Sequence, residues 1–188
     1  MFPALLLCLA ADPALDELAT APETTVSYDA PDGAKGIRAD FVVHQSADAV
    51  AELIWQGRYV RAIFPEVKAR TLAKQESDTS VLVDYVADGG IADFTYQVRF
   101  QRLRPSSGGA VIRWDKVSGD MGTVRGAWTL TPLGPDYCRA EYVSFASLGP
   151  SFLDGFVRDG IARSTAGLAA RVRKSAADAA AVSIAPVR

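Results

Sequence analysis

Tyr85, Tyr96 and Tyr142 fall on the apolar faces of three segments in which apolar and polar residues alternate. A buried phenol needs a hydrogen-bond partner, which is backbone in the ordinary case and a ligand oxygen or a trapped water in a hollow fold. The other reactive residue types are poorly arranged for chemistry. His44 is the single histidine, sits on the polar face of its segment, and has no Ser or Cys at a spacing that defines a triad. Asp84 lies between Val83 and Tyr85 and therefore faces the other way. Arg113 and Asp115 flank Trp114 and should point to solvent, as should Arg125 and Arg139; a surface ion pair contributes little. Neither Gly89-Gly90 nor Gly108-Gly109 opens a phosphate loop, because no GxxxxGK[ST] pattern is present. Two cysteines, Cys8 and Cys138, and one histidine give no CxxC or HExxH spacing. Cys138 reads as a small buried apolar residue. The residues assign no catalytic group, no metal set and no cofactor.

The elements that position these side chains follow from periodicity. Ile37–His44 alternates as a strand, with Ile37, Ala39, Phe41 and Val43 on one face. Ser46 can cap a helix over Ala47–Trp55. Gly57 breaks it, and Tyr59–Phe64 makes a second short helix that Pro65 ends. Six strands follow, near 67–75, 80–87, 94–101, 112–114, 124–130 and 138–145, separated by turns such as Asp88-Gly89-Gly90. After Gly149-Pro150 the period becomes helical, and one long helix is expected over Ser151–Ala177, with Phe152, Phe156, Ile161, Thr165, Leu168 and Val172 near one stripe.

The chain has 188 residues, 49% hydrophobic and 22% charged, which suits one domain with a sizeable core. Its formal net charge of −2 supplies no positive field for nucleic acid. Residues 1–36 read as a leader or linker, 37–178 as the domain, and 179–188 as a flexible tail. The apolar run Phe2–Ala11 is too short to span a bilayer, which takes about 20 residues. It has the small-residue end of a signal peptide but no basic residue before it, so a cytoplasmic and a secreted or periplasmic location both stay open. No other stretch is apolar enough to cross a membrane.

A six-strand meander twists and bends, and a long apolar helix must cover its open face. This order of elements resembles the START-like superfamily (SRPBCC, also the birch-pollen-allergen fold). The stretch Ile112–Asp120, with Trp114 before a Gly turn, followed by Gly126-Ala-Trp128-Thr-Leu130, is similar to the paired central strands of its bacterial polyketide cyclase and coenzyme Q-binding branch. The resemblance covers 37–177. It implies an α+β helix-grip (START/Bet v 1-like) fold: a curved antiparallel sheet of about seven strands, two short helices after the first, and a long C-terminal helix over a cavity.

The strand residues expected on that cavity are Phe41, Tyr85, Phe94, Tyr96, Val98, Ile112, Trp114, Trp128 and Tyr142. The helix should add Phe152, Phe156 and Ile161. An apolar pocket with a few polar anchors fits non-covalent binding or transport of a hydrophobic small molecule such as a lipid, quinone, sterol or polyketide. Transient contact with a membrane surface is compatible with such a role. Two other functions stay open. A cyclase or hydrolase would need a titratable group inside the cavity. An interaction module for a quinone-related complex would show an apolar patch near Trp55 and Phe64. Gly155 and Gly160, early in the long helix, mark a segment that could open to admit ligand.

Overall fold

The computed structural model describes residues 13–90 and 92–184. The proposed leader run 2–11 lies outside them. The chain runs α1 (Pro13–Leu18), β1 (Thr24–Asp29), β2 (Lys35–Val43), α2 (Ala47–Gln56), α3 (Val60–Ile63), β3 (Val67–Ser77), β4 (Ser80–Asp88), β5 (Asp93–Leu103), β6 (Ala110–Gly119), β7 (Thr123–Pro132), β8 (Cys138–Ser147), α4 (Asp154–Thr165) and α5 (Leu168–Ile184). The strands form one antiparallel sheet in the order β1-β2-β8-β7-β6-β5-β4-β3. Ser46 caps α2 as its position suggested, its Oγ accepting from the Ala49 N–H at 3.2 Å. Gly57 ends the helix at φ 63°.

Three expectations need correction. The sheet has eight strands, because Thr24–Asp29, read as linker, pairs with β2 from Thr24↔Asp40 to Asp29↔Lys35. Val26 and Tyr28 alternate with polar residues in it, but the run is short, follows Pro22, and all six of its residues are exposed. The long C-terminal helix is two helices. Ala166 leaves helical geometry at ψ 120°, and Gly167 follows at φ 72°, where a glycine is at ease. The proposed tail instead continues α5 as far as Ile184.

The break is held by specific bonds. Glu23 accepts from the Gly167 and Ala169 N–H groups, capping the start of α5. Arg171 donates to the carbonyls of Ile63, Ala166 and Ser164, joining the end of α3 to the end of α4. Arg173 donates to Val42, Ala21 and Leu18, fastening the N-terminal segment to α5. At the other end of α4, Lys35 lies 3.1 Å from Asp154 and 3.3 Å from Asp29, and Arg158 reaches Asp29 at 3.1 Å.

The core sits between the inner sheet face and α2, α3 and α5. Val50, Val83, Val98, Ile112, Leu130, Cys138, Leu168 and Val172 are almost wholly shielded from solvent. Helix α4 contributes less, with Val157 and Thr165 as its buried residues.

Candidate ligand cavity

The same sheet face that packs the core also lines a half-open cavity of about 650 Å³. Its walls come from β3 to β8, from α2 and α3, and from α4. Nine of the twelve expected residues line it: Tyr85, Phe94, Tyr96, Val98, Trp114, Trp128, Tyr142, Phe156 and Ile161. Phe41 and Ile112 do not. They are buried in the packed core, Phe41 edge-on against Trp128 at 6.3 Å, because β2 and the start of β6 lie where the helices close onto the sheet. Phe152 is 83% exposed, since it sits in the 3-10 turn before α4 rather than on that helix's inner face.

The aromatic residues form a continuous wall. Tyr142 packs against Trp128 at 4.7 Å, Phe64 at 5.5 Å and Trp114 at 5.7 Å. Phe100 bridges Trp114 to Tyr85. Gly126 makes this possible: a Cβ there would lie 2.3 Å from the Trp114 ring and 2.2 Å from the Val143 carbonyl. The Gly-x-Trp pattern thus lets one indole lie against the neighbouring strand while Trp128 supplies another. Trp55 and Phe64 are partly buried and pack onto the core.

Polar groups enter this wall at few places. Arg70 on β3 donates through Nε to the Tyr85 hydroxyl at 3.1 Å, and through its other nitrogens to the Gln56 and Trp55 carbonyls at the end of α2. Gly57 leaves room for that guanidinium, as a Cβ would meet it at 2.1 Å. No carboxylate pairs with Arg70 among the described residues. Glu66, between α3 and β3, accepts a hydrogen bond from Ser164 of α4. Arg70, Glu66 and Ser164 all line the cavity, and sequence reasoning placed none of them there. Only their neighbourhood to the Pro65 helix stop and the strand after it could have signalled the first two.

Burial pushes the hydroxyls of Tyr85, Tyr96 and Tyr142 above the usual phenol range. For Tyr85 the charge of Arg70 and its hydrogen bond pull the other way. For Tyr96 the neighbouring Tyr85, Tyr142 and Glu66 add to the rise. For Tyr142 the Ser144 hydroxyl opposes burial, and Glu66 and Tyr85 add to it. All three phenols therefore stay protonated at neutral pH and can donate.

The remaining candidates lie outside this cavity. His44 is exposed and stacks on Tyr137 at 4.3 Å. Asp84 accepts from Gln97 at 2.8 Å. Arg113 and Asp115 are exposed, and Arg125 and Arg139 pair with Asp32 and Asp40. Cys138 is fully buried, and burial pushes its thiol up to about 12. Among the described residues no cluster of three metal-ligating side chains occurs, and no helix is long and apolar enough to cross a membrane.

No family model matches the chain, and no curated protein matches it. Solved structures do. The lipid transfer and protein localization domain of human StarD13 superposes with a TM-score of 0.69 at 14% identity, covering 87% of this chain and 92% of that one. Human StAR-related lipid transfer protein 5 gives 0.65 at 12%, covering 89% and 95%. The Zhui aromatase/cyclase of a Streptomyces species gives 0.60 at 15%, covering 81% and 96%. Sheet order, helix placement and these superpositions agree that the chain has the START-like helix-grip fold.

Proposed function

We propose that this protein binds or carries a hydrophobic small molecule in its internal cavity. The observation that carries this reading is the cavity of about 650 Å³ walled by Tyr, Trp, Phe and aliphatic side chains. It falls inside the range of about 300–1,000 Å³ common to small-molecule pockets. Shape neighbours named for lipid transfer and for aromatic cyclisation support a hollow fold used for apolar ligands. Lipids, quinones, sterols and polyketides are the classes to screen. The neutral dye N-phenyl-1-naphthylamine should bind saturably with a blue-shifted emission, and ligands from those classes should displace it. Val124→Trp, which places an indole in the cavity wall, should abolish binding. A dye signal that survives this change would sink the proposal.

Glu66 favours a second reading, a proton-transfer enzyme of the cyclase or hydrolase type, because it places a carboxylate in the same space as three phenols. Turnover of an aromatic polyketone by the wild type but not by Glu66→Gln would support it. Equal rates would remove it.

A further inference from the structure

We infer that the cavity is built for an apolar ligand carrying a neutral carbonyl oxygen, received by the paired hydroxyls of Tyr85 and Tyr96. This rests on the cavity-binding reading above. The two residues are directly opposed on β4 and β5. Their rings are parallel within 8°, with centroids 5.5 Å apart, and both line the cavity. The Tyr85 oxygen already accepts from Arg70, so its own proton must be given elsewhere. No acceptor for it is present among the described residues. The Tyr96 hydroxyl has no hydrogen-bond partner among them either. Two donors without acceptors, carried on stacked rings that line one cavity, suit one oxygen with two lone pairs. A hydrocarbon would leave both unmet at a cost.

The charges decide which oxygen. Arg70 polarises the Tyr85 hydroxyl, but three of its five N–H groups are committed to Tyr85, Gln56 and Trp55. Glu66 lines the same cavity, and its charge acts on Tyr96 and Tyr142. Arg163, Arg171 and Asp88 also line the cavity, Arg171 being committed to three backbone carbonyls. It is Glu66, however, whose charge acts at the phenols, so a second negative charge beside them is opposed and a neutral carbonyl takes both hydrogen bonds without that repulsion.

The test is equilibrium dialysis of the full chain against 2-acetonaphthone, its hydrocarbon counterpart 2-isopropylnaphthalene, and 2-naphthoate. The ketone should bind about tenfold more tightly than the hydrocarbon, the preference expected of two such bonds. Tyr85→Phe and Tyr96→Phe keep the stacked rings and should each lose most of that preference. In infrared difference spectra the bound ketone's carbonyl stretch should lie below its value in hydrocarbon solvent. Equal binding of ketone and hydrocarbon, or an unshifted stretch, overturns the carbonyl receptor while leaving the cavity reading intact. Tighter binding of 2-naphthoate overturns the neutral-ligand assignment. Binding of none of the three overturns the cavity reading itself.

Discussion

Ser164, in the last turn of α4, donates a hydrogen bond to Glu66, the residue that links α3 to β3. The acid that faces the cavity is therefore also a clasp on the helix that closes it. A bond to a charged acceptor is worth up to about 3 kcal/mol, and less where water competes. Glu66→Ala should lower amide protection across 154–165 by roughly tenfold while leaving β4 to β8 unchanged. Hydrogen exchange read by mass spectrometry checks this. Unchanged protection in α4 would mean the clasp carries no load.

Gly155 and Gly160 offer the opposite change. A Cβ at either position would meet nothing within 4 Å, so close packing does not explain the glycines. Alanine gains up to about 1 kcal/mol per site in a helix. Gly155→Ala with Gly160→Ala should slow ligand release several-fold in stopped-flow while changing equilibrium affinity less. An unchanged release rate would show that α4 is not the moving part.

Ile112 and Phe152 should respond oppositely to truncation. Ile112 is completely buried, and Ile112→Ala should cost about 2–5 kcal/mol. Phe152 is largely in water, so Phe152→Ser should stay within about 0.5 kcal/mol. Urea unfolding at fixed pH measures both.

Acid should loosen the β3–β4 hairpin through Glu76. Arg99 binds its carboxylate at 2.8 and 3.1 Å, Ser80 adds a third bond at 2.8 Å, and these hold its pKa near 2, below the usual 4.5. A depressed folded-state pKa means the contribution is complete above about 4.5 and is lost as pH falls through about 2. The stability difference between wild type and Glu76→Gln should therefore shrink across that window. A difference independent of pH would refute the assignment.

What the sequence disclosed depended on how each residue reports its surroundings. Alternation in 94–101 and 138–145 marked β5 and β8 because one face of each packs inward, and Ser46 with Gly57 marked both ends of α2. Strand β1 was passed over because its Val26–Tyr28 alternation is short and sits among Pro22, Pro31 and Gly33, and every residue on it is exposed. The break between α4 and α5 rests on Gly167 and on Glu23, 144 residues away, which no local window sees. Arg70 and Glu66 drew no notice in the sequence, where only their position just after the Pro65 helix stop and in the strand beyond it is a cue. Their place in the cavity follows from the way α2 and α3 fold back over the sheet, a tertiary effect that the local pattern does not carry.

The strand order has a further consequence for synthesis. Strand β2 pairs on one side with β1 and on the other with β8, in a register that matches Ile37 to Ser144. On the ribosome, β3 to β7 can zip to one another as they emerge, each beside its predecessor. The earlier β1–β2 hairpin must wait with an unpaired edge until β8 has left the exit tunnel. Pairings so distant along the chain are slow to form and leave strand edges open in the meantime. Nascent chains stalled before residue 138 should therefore recruit chaperones at β2, and release of β8 should end that exposure.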